Sequence, residues 1–453
     1  MKGALLAAWC GVLACAASAQ TPPSTATGPR TPGSEAQALT LEQAHELALR
    51  NHPDIAAANY RAQAAHEAFV QTRAGLLPQL SLYGSAVHAD SANTRLMAGA
   101  INNPSVFSRT AVGGGLTQLI TDFGHSSNLL ASSQLQASAE AHNASSTREQ
   151  VLLQVDHGYF STLKAQAVLA VARQTLDTRR LLLERVSVLA QNKLRSDLDV
   201  SFAQVGVEDA RLLVQQARNE VDSSMATLST VLGSSEQQRF TLAEETPASL
   251  AQSGDVAQLV EKALRDRPEL ASLRDQRDAA QSLARSLRDA RLPSISAVID
   301  AGNSPSHDAR LPANYSAGGI VLSMPVFAGG LYEARQHEAE LRARAAAESL
   351  RTLENNVSRD VRIAWLDLNN ARDRVRTTAQ LARYAATGYE LADARYKVGS
   401  SSIVELSQAQ LELTSAQIAE STARYEVLIR EADLNYEVGS AAGADAGAPP
   451  PPP

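Results

Sequence analysis

The sequence predicts a mainly α-helical protein with membrane β-strands, built from one unit used twice. Each unit is a pair of strands followed by a very long helical hairpin. Two observations predict this. First, residues 121–233 slide onto residues 327–439 at a constant shift of 206 without a gap. Val151 falls on Val357, Val155 on Val361, Tyr159 on Trp365, Ser196 on Ser402, Arg218 on Arg424 and Gly233 on Gly439. Helices rich in Ala, Leu and Arg share matches by chance, but chance does not hold one register through a turn. Second, the returning arm of the hairpin carries Val200, Ala203, Val207, Ala210, Val214, Ala217 and Val221. That 3-4 rhythm is the seam of a left-handed coiled coil. The second copy repeats it with Leu406, Ala409, Leu413, Ala416, Ala423 and Val427, broken at Glu420.

The elements follow in order. Residues 1–19 read as a secretory signal, with Lys2, an apolar run from Ala4 to Ala16, and Ala17-Ser18-Ala19 as the cleavage site. Lipid attachment at Cys15 is the alternative, through Val12-Leu13-Ala14-Cys15. Both cysteines lie in this segment, so cleavage after Ala19 leaves a mature chain without thiols. Residues 20–38, rich in Pro, Thr, Ser and Gly, read as a disordered leader. The first repeat spans 39–233. Thr40 caps a short helix that stops at Asn51-His52, and Pro53 opens a second that ends before Pro78. Strands are expected at about 80–88 and 112–120, and long helices at about 122–192 and 200–232. The first of these helices, on the order of 100 Å long, contains no proline.

A linker is placed at 234–254 and the second repeat at 255–439. Pro268 and Pro293 repeat Pro53 and Pro78 at a shift of 215. The shift falls to 206 beyond the strands, so the second copy lacks nine residues in the strand region. An exposed hairpin loop tolerates such a deletion. Strands are expected at about 295–301 and 315–326, and helices at about 328–397 and 403–438. Gly124 and Gly329-Gly330 mark the turns from strand into long helix. Residues 440–453, ending in five prolines, read as a disordered tail.

Composition removes several function classes. Aromatics are only 4% of the chain, as in helical assemblies and unlike mixed cores. The net charge of −7 is dispersed, and no basic patch with interleaved aromatics speaks for nucleic acid. The nine histidines show no helical metal-ligand spacing, and no cofactor or catalytic constellation stands out. Gly113-Gly114-Gly115 lacks the lysine of a phosphate loop. No stretch beyond the signal is apolar enough for a membrane helix. Four strands cannot close a barrel in lipid alone, but three chains would supply twelve.

With these features the chain resembles the TolC family of outer-membrane efflux proteins, over roughly residues 39–439. The resemblance rests on the duplicated order and on the Asn51-His52-Pro53 and Leu77-Pro78 breaks. It rests also on the Val326-Phe327-Ala328-Gly329-Gly330 turn and the Val398-Gly399 tip. It implies a trimer with a twelve-stranded β-barrel in the outer membrane. A twelve-helix α-barrel with an equatorial collar would extend into the periplasm. It implies docking to a periplasmic adaptor and an inner-membrane transporter, as the exit duct for drugs, metals or secreted proteins. A periplasmic coiled-coil scaffold or adaptor without a channel is the competing reading.

The same resemblance nominates site residues at the helical tips. Val398, Gly399 and Ser400 in copy two, and Asn192, Lys193 and Leu194 in copy one, match the adaptor-contact tips. Gly399 also serves the turn itself, since glycine accepts positive φ. Tyr396 and Asp199 match a linked pair at the entrance gate. Ser401 stands where the family prototype has an arginine, and Leu198 where it has the partner hydroxyl. Glu405 matches a ring carboxylate that would favour cations, while Gln408 replaces the second one. Glu405 and Asp199 are equally readable as ordinary helix-start acids.

Overall fold

The computed structural model describes residues 39–88, 109–234, 240–244, 255–306 and 312–440. The signal, the leader, residues 441–453 of the tail and most of the linker lie outside these residues. Twelve elements are described, in the order α1 (Leu41–Asn51), α2 (Pro53–Ala74), β1 (Gln79–Val87), β2 (Arg109–Thr121), α3 (His125–Gln191) and α4 (Asp197–Val231). The order then repeats as α5 (Val256–Asp266), α6 (Pro268–Asp289), β3 (Ser294–Ser306), β4 (Asn314–Ser323), α7 (Leu331–Lys397) and α8 (Ile403–Glu437). Helix lengths match pairwise: 11 and 11, 22 and 22, 67 and 67, 35 and 35 residues. Among the described residues the backbone also repeats at its most constrained points. The positive-φ residues are Phe123, Gly124, Lys193 and Gly233 in one repeat. Each has a partner 206 residues on, at Gly329, Gly330, Gly399 and Gly439.

Element ends follow local chemistry. Pro53 and Pro268 stand in the first turn of α2 and α6, where the missing N–H costs nothing. Pro78 and Pro293 directly precede β1 and β3. The long helices begin a little later than the pattern suggests. Gly124 and Gly330, both left-handed, are their N-caps, and α3 and α7 start at His125 and Leu331. The return helix α4 begins earlier, at Asp197. Ser196 and Asp199 form a reciprocal capping box there, each side chain taking the other's backbone N–H. The strand β3 runs on to Ser306, beyond the expected 301. Its Asn, Ser and Pro residues read as loop, yet Pro305 lies beside a register shift, where a strand tolerates the lost donor. The strand β4 stops at Ser323, short of the expected 326, because Pro325 cannot donate to a ladder.

The four strands form one antiparallel sheet in the order β1-β2-β3-β4. Pairing fixes the faces. Leu80 lies opposite Leu116, which lies opposite Ile299, and Leu82, Ile320 and Leu322 share that face. Of these, Leu80, Leu82, Ile299, Ile320 and Leu322 are exposed. The other face carries Ser81, Tyr83, Asp300 and Tyr315.

Below the sheet, α3 packs against α4, α6, α8 and α2, and α7 packs against α8, α6 and α5. The predicted seam is inside: Val207, Ala210, Val214 and Ala217 are buried against Leu169, Ala172 and Leu176, and Ala203 against Leu182 and Val186. Trp365 packs beside a cluster holding Val361 and Leu368. A connection the pattern does not reveal lies at the middle. Residues 240–244 return to pair with Leu39, through Leu39 N to Thr241 O at 2.7 Å and Ala243 N to Leu39 O at 3.0 Å. The buried Tyr159 hydroxyl lies 2.9 Å from Leu39 O and 2.8 Å from Ala243 O, donating to this crossing. The linker is thus partly built into the core.

A charged cluster joins α3, α6 and α8. Arg267, almost fully buried, reaches Glu437 at 2.6 Å and Glu269 at 2.7 Å. Tyr436 and Ser146 both donate to Glu269 Oε1 at 3.1 Å. Burial, aided by the charge of Glu269, pushes the Glu149 carboxyl up to about 7. Burial also raises Glu437, outweighing the pull of Arg267.

Two outcomes are expected. A raised carboxyl binds its proton in the fold more tightly than in the unfolded chain. Its contribution is therefore full below the usual pKa of 4.5 and is lost as pH rises to about 7. Glu149→Gln should flatten this decline in thermal melts and stabilise by about 1 kcal/mol at pH 8, after allowing for solvent screening. Glycine positions of equal φ should respond unequally. A Cβ on Gly233 would meet Asn51 O at 2.6 Å, whereas one on Gly399 meets nothing within 4 Å. Gly399→Ala should cost only the left-handed strain of about 1 kcal/mol. Gly233→Ala should cost clearly more in denaturant unfolding.

Candidate functional site

The site is the end of the molecule where both helical hairpins turn. Its two turns share one backbone. Asn192 and Val398 have φ of −87° in both cases, followed by left-handed Lys193 (61°) and Gly399 (79°). Each closes with the same bond, Leu194 N to Leu189 O and Ser400 N to Arg395 O, both 2.9 Å. That bond is the Schellman closure of a helix. Ser196 and Ser402 then cap the returning helices with nearly identical angles. Copy one therefore makes a glycine turn with a lysine. The difference between the tips lies in side chains, not in chain path.

The two tips pack on each other. Tyr396, Leu406, Ile403 and Ala392 of the second repeat bury against Leu182, Val186 and Ala203 of the first. Tyr396 is 1% exposed. Arg195 covers its ring at 4.2 Å and donates to its carbonyl oxygen at 2.6 Å. Burial raises the Tyr396 hydroxyl pKa. No hydrogen bond joins Tyr396 to Asp199 within the chain, because Asp199 caps its own helix. The expected pair thus stands close without a direct bond.

The remaining nominated residues are exposed, apart from the half-buried Ser401. Glu405, at the start of α8, pairs with Arg395 at 3.1 Å. Its backbone N–H donates to Ser402 Oγ. Gln408 donates to Glu412 at 2.9 Å. Ser400 Oγ donates to Arg395 O at 3.1 Å, and Ser401 Oγ to Ser402 O at 3.4 Å. Asn192 Nδ2 donates back to Val188 O at 2.8 Å. Val398, Leu194 and Leu198 present apolar side chains to solvent.

Sequence reasoning missed Arg195 and Arg395. Arg195 was open to it: the shift of 206 carries Arg195 onto Ser401. The arginine absent from one tip is therefore present on the other. Arg185 and Lys397 also converge on Asp393, at 3.0 and 2.5 Å. The Lys397–Asp393 pair is four residues apart on one helix and readable from spacing, whereas Arg185 comes from the other hairpin and leaves no local pattern.

Comparison with known proteins decides the family. The family described as "Outer membrane efflux protein" matches the chain over residues 44–234 and 259–440, one match for each repeat. The chain belongs to this family. Among its relatives is "Outer membrane protein TolC" of Vibrio cholerae, 24% identical, covering 90% of this chain and 92% of the relative. Another is "Pyoverdine export outer membrane protein OpmQ" of Pseudomonas aeruginosa, 24% identical over 88% and 82%. Of solved structures, the CmeC outer membrane channel of Campylobacter jejuni superposes with a TM-score of 0.77 at 17% identity, covering 88% and 86%. VceC of Vibrio cholerae gives 0.76 at 16%, covering 88% and 96%. At such identities the structures show the fold. As a member of this family the chain is an outer-membrane efflux protein whose long helices form its periplasmic portion.

One test addresses the lysine turn. Lys193→Gly should relieve the left-handed strain and stabilise the first tip by up to about 1 kcal/mol. Slower amide exchange at residues 189–196 would report it, and unchanged exchange would mean that Lys193 carries no strain.

Proposed function

We propose that the chain works as a trimeric duct that carries cargo out through the outer membrane. Its helical tips dock on a periplasmic adaptor and, through it, on an inner-membrane transporter. One observation carries this reading: the four-stranded sheet has an exposed apolar face, a polar face, and strands β1 and β4 at its two edges. A sheet in lipid needs an apolar outside and no free edge. Three such sheets, joined β4 to β1, give a twelve-stranded barrel with the polar face inward. The strands are 9 to 13 residues long, enough to cross the bilayer at a tilt.

The helices support the same closure. Within the chain, α7 forms one lateral edge, and α2 with α4 forms the other. Both edges expose apolar side chains, such as Leu381, Tyr384 and Leu391 on α7 and Phe202, Val205 and Leu212 on α4. Copies set side by side would cover them and make a ring of twelve long helical arms. A soluble scaffold gives the apolar sheet face no purpose. The relatives' names point to export, of pyoverdine by OpmQ and of toluene by TtgC, and leave the cargo of this chain open.

In the trimer three Glu405 carboxylates would approach the axis, each with its Arg395 partner. Single-channel recording tests this entrance. Glu405→Gln should lower cation selectivity, and Arg395→Gln should raise it by freeing the carboxylate. Unchanged selectivity in both would remove Glu405 from the pore lining. Recovery of the mature protein as a soluble monomer would overturn the duct itself.

A further inference from the structure

One row of the sheet is unlike the others. Across all four strands it reads Tyr83, Gly113, Gly302, Tyr315. The two tyrosines stand on the outer strands and the two glycines between them. The hydroxyls of Tyr83 and Tyr315 meet at 3.1 Å. Three strand spacings separate the tyrosine backbones, roughly 14 Å. Two phenol side chains bridge that distance only by lying down along the sheet toward each other. The glycines make this possible. A Cβ on Gly113 would sit 2.6 Å from the Tyr315 hydroxyl and 3.0 Å from the Tyr83 ring. A Cβ on Gly302 would collide with the Tyr315 ring and hydroxyl. A Cβ would also crowd backbone carbonyls, Ala301 O at 2.9 Å from one on Gly113 and Val112 O at 2.5 Å from one on Gly302. The wall is thus thinned where the rings rest.

We infer that the Tyr83–Tyr315 pair, seated on Gly113 and Gly302, sets the free width of the duct's membrane section. The inference rests on the duct reading, in which this polar face is the lumen. An aromatic ring standing upright from a β-wall reaches about 6 Å into the lumen, and three protomers would contribute six rings. Laid flat and tied hydroxyl to hydroxyl, the rings leave that space open. Each ring is held by the other, so loss of either hydroxyl frees both. Asp300, two residues from Gly302 on the same face, adds one carboxylate per protomer next to the rings.

Non-additivity in single-channel recording tests this. Tyr83→Phe and Tyr315→Phe keep ring volume and so keep the barrel, and trimer migration on gels checks assembly. Each should lower mean conductance below wild type and increase open-channel noise, because an untied ring swings into the lumen. The double variant Tyr83→Ala with Tyr315→Ala should restore quiet openings, at a conductance at or above wild type. Phe variants that conduct like wild type would overturn the inference. So would Ala substitutions whose gains simply add, since independent rings would do that. A wild-type trimer that passes no current would overturn the duct together with the pair, whereas the other two results overturn the pair alone.

Discussion

An antiparallel sheet of four strands has two edges, and each edge presents backbone N–H and C=O groups outward. In water such an edge invites aggregation, and in lipid each unpaired group costs several kcal/mol. Much of this protein answers to that constraint. One chain supplies β1-β2-β3-β4 and can go no further. In the proposed trimer, closure comes from other copies, and the helices would meet those copies in the same symmetry. The duplication helps here. Two repeats with helices of 67 and 35 residues place equivalent surfaces at regular intervals. Three chains in the proposed trimer would approximate six units around one axis, with contacts between chains resembling contacts within them.

Where the copies differ, the middle of the molecule bears it. The first repeat sets the Tyr159 hydroxyl against two backbone carbonyls, Leu39 O and Ala243 O. The second has Trp365 at that place and, elsewhere, the buried Arg267 between Glu269 and Glu437. His52 holds the position of Arg267 in the first repeat and merely caps its helix through Asp54 N. A buried ion pair is costly to dehydrate and strongly directional, so it fixes register better than it adds stability. The second repeat thus locks its short helices to α8 by charge, the first by a returned strand.

Much of this was legible in the sequence because it is periodic. The shift of 206, the proline breaks and the seam from Ala203 to Ala217 all survive as buried or capped positions. The sheet was legible only in outline, since membrane strands need one apolar face and carry a weak signal. Pro305 and Asn303 concealed the last turns of β3 for that reason. The site was less legible still. Arg395 meets Glu405 across a turn, and Arg195 meets Tyr396 across two hairpins 201 residues apart in sequence. Contacts of that kind depend on tertiary placement and leave no spacing to read.

The tips sharpen the point. By residue type, Asn192-Lys193 and Val398-Gly399 look like two different turns. Their backbones are one turn, and Lys193 adopts the left-handed conformation that Gly399 adopts freely. Holding a lysine there opposes its own preference by about 1 kcal/mol. The surrounding bonds overcome it: Lys193 N donates to Ala190 O at 2.8 Å and Leu194 N to Leu189 O at 2.9 Å. Backbone closure therefore decides the path, and the side chain is left free to differ. Six tips in a trimer would then share one geometry while alternating in character, three with a lysine at the turn and three with a bare glycine. A partner docked on such a trimer would meet tips of one backbone shape that differ in the residue at the turn.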